Sequence, residues 1–239
     1  MIMDANGKVA VITGASDGLG AVLAQQLAAA GYHVWVLARN EAKLQAVVGA
    51  IRSDGGRADY AVCDVTSPES VAQSFAHIGA QAGQVDLLIS NAGVWLQGAT
   101  ADATTDDIVR TINTNLLGII LVTRAALPLI KAHAGGQIVN VISNAGVEPN
   151  GDWSIYTASK YGARGFTDSL KLELADRGIR VTGVYPAGMS TGFFQKAGLD
   201  VPPGQPWMMP IEDVAAAIVQ LCTQSEAIVL DHVVIRKSA

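Results

Sequence analysis

Short runs rich in valine and isoleucine recur along the chain, and glycine, aspartate, asparagine or proline bounds each of them. Most of the runs are apolar at consecutive positions, which is typical of strands that helices cover on both faces of a sheet. The pattern predicts strands at residues 8–14, 33–39, 58–65, 85–93, 136–143, 179–186 and 227–236.

Longer segments with apolar residues three or four positions apart separate these runs, and this spacing predicts helices. The predicted helices cover residues 18–31, 41–53, 68–81, 104–132, 155–177 and 212–224. Strands and helices that alternate along one chain indicate an α/β protein, here a doubly wound Rossmann-type fold with about seven parallel strands and helices on both faces. Ligands of such sheets bind beyond the carboxyl ends of the strands, where the strand order reverses. We therefore expect the chemistry in the residues that follow each strand.

The composition favours one domain over residues 1–239. Hydrophobic residues make up 50% of the chain and charged residues 15%, and no linker rich in glycine, serine or proline divides it. The net charge is -5, and the lysines and arginines are scattered. This distribution argues against nucleic acid as a partner, because a phosphate backbone requires a basic surface.

Two further classes are disfavoured by local sequence. The longest apolar stretch, residues 116–122, is too short to cross a bilayer, and the first residues lack the basic head and apolar core of a signal peptide. We therefore expect a cytoplasmic chain without a membrane partner. Cys63 and Cys222 have no metal-binding spacing, so we expect reduced, buried thiols and no metal site.

A glycine-rich turn, "TGASDGLG", follows the first predicted strand and opens the first helix. Glycines at 14, 18 and 20 let the backbone turn tightly beside a pyrophosphate, and the helix N-terminus offers unpaired N–H groups. The spacing Gly-x-x-x-Gly-x-Gly differs from the usual dinucleotide fingerprint. Its place after the first strand still predicts a dinucleotide site.

The end of the second strand bears on which dinucleotide binds. An acidic residue there would bind the ribose diol of NAD, whereas an arginine would accept the 2′-phosphate of NADP. The strand ends Ala38-Arg39-Asn40, without a carboxylate, and a guanidinium suits a phosphate. NADP(H) is therefore favoured over NAD(H), although the charge of Asp17 in the glycine turn would oppose a nearby phosphate.

Tyr156 and Lys160 lie four positions apart in a predicted helix, so both side chains share one face. The spacing alone is weak evidence, because two residues on a solvated face would look the same. Three other features accompany the pair: the glycine turn, "NAG" at 91–93, and Ser143 at the end of the fifth predicted strand. In this company the pair is a candidate site rather than a coincidence of spacing.

These motifs resemble the short-chain dehydrogenase/reductase family in its single-domain branch, over nearly the whole chain. "TGASDGLG" is similar to the cofactor loop of that family, "NLLG" at 115–118 to its helix segment with an asparagine, and "YTASK" at 156–160 to its active-site motif. The resemblance implies a catalytic set of Asn115, Ser143, Tyr156 and Lys160. With the glycine turn and Arg39 it gives a cofactor-binding set of Gly14, Ser16, Gly18, Leu19, Gly20, Arg39, Asp64, Val65, Asn91, Ala92, Gly93, Tyr156, Lys160, Pro186 and Thr191.

The chemistry of the catalytic set follows from the residue types. Lys160, with the positive ring of the oxidised cofactor, would lower the pKa of Tyr156, which supplies or takes the proton. Ser143 would donate a hydrogen bond to the substrate oxygen, and Asn115 would hold a water that links Lys160 to solvent. Asn113 is a weaker alternative to Asn115.

Two serines near the catalytic set have simpler structural interpretations, and two residues differ from the family motifs. For Ser154 and Ser159 we expect a helix cap and a helix surface, respectively. Ser90 replaces a frequent asparagine of the family before "NAG", and Ala187 a frequent glycine after Pro186. These departures concern local cofactor contacts and leave the fold prediction unchanged.

The segment 188–210 is rich in glycine, proline and large apolar residues, which suits a lid over an apolar substrate pocket. Ser143, Tyr156, Trp95 and Met189 are the predicted substrate contacts. We expect a small-molecule ketone, aldehyde or secondary alcohol without a dominant charge. The predicted function is an NADP(H)-dependent oxidoreductase, with a non-catalytic NADP-binding sensor as the alternative. The long helices 104–132 and 155–177 suggest a homodimer or homotetramer.

Overall fold

The computed structural model describes residues 5–132 and 135–238, and within these ranges it contains one seven-stranded sheet. All strand pairs are parallel, in the order β3-β2-β1-β4-β5-β6-β7. The fold predicted from the sequence is therefore confirmed. The strands are β1 (Val9–Thr13), β2 (His33–Ala38), β3 (Arg57–Val62), β4 (Leu87–Ser90), β5 (Gln137–Val141), β6 (Arg180–Pro186) and β7 (His232–Ile235).

Helices cover both faces of this sheet. They are α1 (Gly18–Ala29), α2 (Glu41–Ser53), α3 (Pro68–Ala82), α4 (Thr105–Ile112), α5 (Gly118–Ala126), α6 (Ser154–Leu174), α7 (Phe193–Lys196) and α8 (Ile211–Cys222). Successive strand residues point to opposite faces, so Val11 and Ile12 of β1 enter different cores. One core lies under α1, α2 and α8, and the other under α3, α5 and α6.

The strand order reverses between β1 and β4. The chain runs from β1 outwards to β2 and β3, and then returns to place β4 on the other side of β1. Val11 of β1 therefore has Trp35 on one side and Leu88 on the other. The crevice beyond the carboxyl ends of β1 and β4 is the place where such folds bind ligands.

The helix predicted over 104–132 is shorter in the structure, which is helical over residues 105–126, and it is not regular throughout. The structure contains α4, a single π-helical turn over Asn113–Leu117, and α5, which ends at Ala126. Pro128 follows two residues later and has no N–H to continue the helical hydrogen bonds.

The last predicted strand, 227–236, is too long, because β7 covers only His232–Ile235. The preceding apolar residues Ile228, Val229 and Leu230 are exposed rather than paired in the sheet. The strand prediction was too long because these exposed residues are as apolar as residues of a buried strand.

The predicted lid segment 188–210 folds over the crevice as loops around the short helix α7. A single parallel bridge joins Met189 to Met209 and closes the segment at its base. Among the described helices, none combines the length and apolar character that a membrane crossing requires.

Candidate active site

The glycine turn after β1 is packed too tightly for side chains at two of its glycines. Gly14 has a φ of 65°, and a Cβ there would lie 2.8 Å from the Ala92 Cα. A Cβ at Gly20 would lie 2.3 Å from the Gly14 carbonyl oxygen. The turn therefore holds the N-terminus of α1 close to the segment after β4.

Hydrogen bonds between Thr13, Gly14 and Asn91 fix this contact. The Asn91 side chain donates to the carbonyls of Thr13 at 3.0 Å and of Gly14 at 3.2 Å. The Thr13 hydroxyl accepts from the backbone N–H groups of Asn91 at 3.0 Å and of Ala92 at 3.1 Å. The Asn91 amide thus holds the loop in shape, a role beyond the cofactor contact expected from the sequence.

Replacing Gly20 with alanine is expected to disrupt this loop, because the new methyl group would meet backbone atoms that cannot rotate away. We expect a free energy of unfolding lower by about 1–3 kcal/mol and weakened dinucleotide binding. Gly49→Ala is the matched control, since Gly49 lies in α2 and a Cβ there would have no other group within 4 Å. That variant should gain about 0.5–1 kcal/mol. Urea denaturation measures both, and equal stability of the two variants would contradict the packing argument.

A cavity of about 1160 Å³ extends from the glycine turn to the predicted lid segment, residues 188–210. It brings together nearly all residues predicted from the sequence. Gly20 and Asn115 are the two predicted site residues that lie behind its wall. The predicted residues that line it are Gly14, Ser16, Gly18, Leu19, Arg39, Asp64, Val65, Asn91, Ala92, Gly93, Trp95, Ser143, Tyr156, Lys160, Pro186, Met189 and Thr191.

Asp17 in the glycine turn has two cationic partners. Lys43 of α2 lies 3.0 Å from its carboxylate, and Lys196 of α7 bonds to its other oxygen. Partial burial acts to raise the Asp17 pKa, but the hydrogen bonds and charges of Lys196 and Lys43 outweigh it and lower the pKa. Asp17 therefore keeps its negative charge, but two lysines balance it. This pairing removes the objection that the charge would repel a cofactor phosphate.

Arg39 at the end of β2 lines the same cavity and is exposed. Its guanidinium makes no hydrogen bond or ion pair with any residue in the described ranges. An arginine held at a cavity wall without a protein anion is suited to bind a ligand phosphate.

Ser143, Tyr156 and Lys160 meet where β5 ends beside α6. Ser143 accepts a hydrogen bond from the Ala145 N–H at 3.1 Å and donates to the Asn144 side-chain oxygen at 3.2 Å. The Lys160 Nζ lies 5.5 Å from the centre of the Tyr156 ring. Tyr156 and Lys160 are both 3% exposed, so their ionisation is set by the protein interior.

Burial shifts both ionisable groups toward their neutral forms. It raises the pKa of Tyr156 to about 12, with the Ser143 hydroxyl acting in the opposite direction. It lowers the pKa of Lys160 to about 8. The protein alone therefore does not lower the Tyr156 pKa, contrary to what a simple Lys–Tyr pairing suggests, because desolvation exceeds the effect of the Ser143 hydrogen bond.

Stability should depend on pH through Lys160. Between pH 8 and its ordinary value of 10.5, the buried amine is neutral in the folded state while the unfolded chain keeps the proton. The unfolded state then binds more protons, so stability rises with pH in this window. Relative to Lys160→Met, the wild type should gain up to about 3 kcal/mol from pH 7.5 to 10.5. Urea denaturation at several pH values tests this, and a constant difference between the two chains would contradict it.

Asn115 lies in the π-helical turn and is fully buried. Its side chain accepts from the Val94 N–H at 2.8 Å and donates to the Val94 carbonyl at 2.9 Å and to the Ser159 hydroxyl at 3.1 Å. A Cβ on Gly93 would lie 3.3 Å from the Asn115 oxygen and 3.5 Å from the Lys160 Nζ. Asn115 therefore adjoins Lys160 across Gly93. Asn113 is only partly buried, at the start of the turn.

Two serines differ from their sequence-based interpretation. Ser159 was expected on a helix surface, but it is fully buried and donates to the Tyr156 carbonyl at 2.6 Å. Ser154 was expected as a helix cap, but α6 begins at Ser154 and its hydroxyl contacts that of Thr100 at 2.6 Å. Ser159 thus connects Asn115 to the helix that carries Tyr156, a role that depends on a partner 44 positions away.

An aromatic cluster covers Tyr156 on the side of the lid. The Trp95 ring centre lies 4.4 Å from that of Tyr156, 4.8 Å from Trp153, 4.9 Å from Phe194 and 6.3 Å from Phe193. Trp207 extends the cluster, 5.7 Å from Phe194. Trp95 alone was singled out from the sequence, because the other rings come from segments distant along the chain.

The sequence and the fold of this chain were compared with those of known proteins, and the matches belong to one family. A model of the short chain dehydrogenase family matches residues 8–201. The chain is 32% identical over 238 residues to a sepiapterin reductase of Chlorobaculum tepidum, covering 97% of this chain and 96% of that protein.

Two solved structures share the fold. A metagenomic short-chain oxidoreductase in complex with NADP superimposes with a TM-score of 0.85 at 32% identity, with 99% of each chain covered. An alcohol dehydrogenase of the archaeon Thermococcus sibiricus, complexed with 5-hydroxy-NADP, gives 0.89 at 26% identity, with 96% of each chain covered. With its parallel sheet, its glycine turn and a family match over most of its length, the chain belongs to the short chain dehydrogenase family of oxidoreductases.

Proposed function

We propose that this chain is an NADP(H)-dependent oxidoreductase that moves a hydride between the nicotinamide and a ketone, aldehyde or secondary alcohol, with Tyr156 as the acid or base. The observation that carries the proposal is that Ser143, Tyr156 and Lys160 meet in the same cavity as the glycine turn. A dinucleotide held on the turn would extend toward these three side chains. We propose that residues 1–239 act as one unit, with 188–210 as its lid.

The described residues fit a dinucleotide. Gly14 and Gly18 leave the backbone of the turn free of side chains, and both have positive φ values that favour glycine. The N-terminus of α1 points its unpaired N–H groups at the same place. Ser16, Asp64, Val65 and Thr191 would complete the contacts, as the family resemblance implies.

The choice of NADP(H) over NAD(H) depends on Arg39. Its guanidinium is uncommitted, and neither of the two residues that follow β2, Arg39 and Asn40, is a carboxylate that could bind a ribose diol. Lys43 also lines the cavity. The oxidoreductase and alcohol dehydrogenase structures that resemble this chain were both solved with NADP or its derivative. These observations favour NADP(H) as the cofactor.

The chain's own residues would position the substrate oxygen and move one proton. Ser143 would exchange its 3.2 Å bond to Asn144 for a hydrogen bond to that oxygen. In reduction, Tyr156 would donate its phenolic proton to the oxygen as negative charge develops there. When bound, NADPH supplies the hydride to the carbonyl carbon, so that ketone and proton yield a secondary alcohol and NADP⁺.

Lys160 and Asn115 would support the proton transfer. The Lys160 ammonium would hold the ribose hydroxyls of the nicotinamide and, together with the positive ring of NADP⁺, favour the phenolate that oxidation requires. Hydrogen bonds to Val94 and Ser159 fix Asn115 beside Lys160. There it would position a water molecule that links Lys160 to solvent. A pKa of about 12 keeps Tyr156 protonated, as reduction requires.

A panel of ketones, aldehydes and alcohols, followed at the NADPH absorbance band, tests the function. Turnover of any member supports an enzyme, and the preferred member distinguishes a carbonyl reductase from an alcohol dehydrogenase. NADPH binding without turnover of any member would instead favour a non-catalytic sensor. The complete Ser143, Tyr156 and Lys160 constellation favours the enzyme, because a binding module does not need all three in one cavity.

The chain's assembly and location remain predictions. We propose a homodimer or homotetramer that pairs the helical layer of α4, α5 and α6 across subunits, and a cytoplasmic protein whose partners are small molecules. Light scattering at micromolar concentration would show the oligomer, and a monomeric mass would contradict it.

A further inference from the structure

We propose that the substrate carries an aromatic ring directly on its carbonyl carbon, so that the enzyme is a reductase of uncharged aryl ketones or, in reverse, a dehydrogenase of benzylic alcohols. This inference rests on the proposed function, because it names the substrate class of that same site. The reaction is the one given above, in which the carbonyl carbon gains the hydride of NADPH and the oxygen gains the Tyr156 proton.

The first support is where the chain places its largest aromatic rings. It has only 4 tryptophans and 4 phenylalanines. Trp35, Phe75 and Phe166 belong to the cores of the fold. The other five rings all line the cavity that contains Tyr156: Trp95, Trp153, Trp207, Phe193 and Phe194. Trp95, Trp153, Phe193 and Phe194 form a hydrophobic cluster with Tyr156, and Trp207, which lines the same cavity, is 50% exposed.

The second support is the position of Trp95 relative to the reacting atoms. The substrate oxygen must meet both Tyr156 and Ser143, so the groups on its carbonyl carbon lie beside the Tyr156 ring. Trp95 is 4.4 Å from that ring, centre to centre. A substituent on the carbonyl carbon would therefore contact the Trp95 indole, where a flat ring gains both contact area and the edge-to-face attraction of aromatic pairs.

The third support is the way the lid covers Trp95. Phe193 and Phe194 of α7 approach it edge to face, at interplanar angles of 67° and 74°. Both rings pack against Trp95 and line the cavity. A substrate ring in the cavity would extend this cluster with an edge-to-face contact of the same kind, which a flexible aliphatic chain could not reproduce.

The charges of the cavity favour an uncharged substrate. Lys43 and Lys196 are both paired with Asp17 at the cofactor turn, and Arg110 is paired with Asp107 at 2.9 Å. Arg39 lies at the end of β2, beside the turn that would hold the dinucleotide. Lys160 also lines the cavity, but it is buried and would hold the ribose of the nicotinamide. Within the described ranges, the aromatic cluster therefore has no further cation beside it to bind a substrate carboxylate or phosphate.

Two ketones of matched size test the proposal: acetophenone, with a phenyl ring on the carbonyl, and cyclohexyl methyl ketone, with a saturated ring there. We expect kcat/KM with NADPH to favour acetophenone. In Trp95→Leu, kcat/KM for acetophenone should fall roughly tenfold more than for the cyclohexyl ketone. The comparison of variants cancels the different intrinsic reactivities of the two ketones.

Two controls keep the test independent of folding. Trp95→Tyr retains a ring and should retain most of the preference, whereas Trp35→Phe changes a tryptophan of the core and should leave the ratio unchanged. Equal loss for both ketones in Trp95→Leu, or a wild-type preference for an aliphatic substrate of the panel, would overturn the aryl proposal while turnover upholds the oxidoreductase. Failure to turn over any carbonyl or alcohol would overturn both.

Discussion

Tyr156→Phe is expected to lower kcat by roughly a thousandfold or more, since the variant lacks the hydroxyl that carries the transferred proton. The ring itself remains, so the contact with Trp95 and the shape of the cavity are retained. NADPH affinity should change by less than about threefold, because the phenolic oxygen is only one of many cofactor contacts. Steady-state rates and the fluorescence of bound NADPH separate the two effects.

Tyr161→Phe is the matched control, because Tyr161 is a neighbouring tyrosine on α6 that is 40% exposed and outside the cavity lining. It should keep wild-type turnover. A Tyr156→Phe enzyme with near-normal kcat would refute the assigned proton transfer. Equal loss of NADPH binding and turnover would instead show that Tyr156 acts mainly in holding the cofactor.

Arg39→Ala is expected to weaken NADPH binding by about ten- to a hundredfold and to leave NADH binding nearly unchanged. A charge-assisted pair with a phosphate contributes more than a neutral hydrogen bond, and only NADPH has the 2′-phosphate. Because Arg39 has no ion pair within the described part of the chain, its removal leaves no unpaired protein anion behind. Dissociation constants for both dinucleotides measure the effect.

Arg57→Ala provides the comparison, as Arg57 is an exposed arginine at the start of β3 whose guanidinium bonds to the Gly31 carbonyl, away from the cavity. Both dinucleotides should bind it as they bind the wild type. Equal weakening of NADPH and NADH by Arg39→Ala would refute the phosphate contact. A strong salt dependence confined to NADPH would support it.

The fold was predictable because its determinants are local. Each buried strand is an apolar run, and the glycine and polar residues that end it mark the edge where ligands bind. This reasoning located Gly14, Arg39 and Ser143 at the carboxyl ends of β1, β2 and β5, as the structure shows. The exposed residues 228–230 show its limit, because an apolar run at the surface has the same pattern as a buried strand.

The rest of the site depends on contacts between distant segments, which no local pattern encodes. Asp17 pairs with Lys196, 179 positions away, and so loses the repulsion that its charge suggests. The ionisation of Tyr156 and Lys160 depends on their burial, which the spacing of the two residues does not specify. The aromatic cluster around Trp95 likewise forms only when the lid segment folds over the strand ends.

The π-helical turn at Asn113–Leu117 bears on how this chain can be engineered. A π turn contains one more residue than the α-helical turn it replaces, and regular helix is the more stable form. Deleting one residue here, such as Thr114, would turn α4, the π turn and α5 into one regular α-helix, yet it would rotate the Asn115 amide away from Val94. If Asn115 has the role proposed above, optimising this helix for thermal stability is expected to act against activity. The irregularity is a part of the scaffold that a designer should keep.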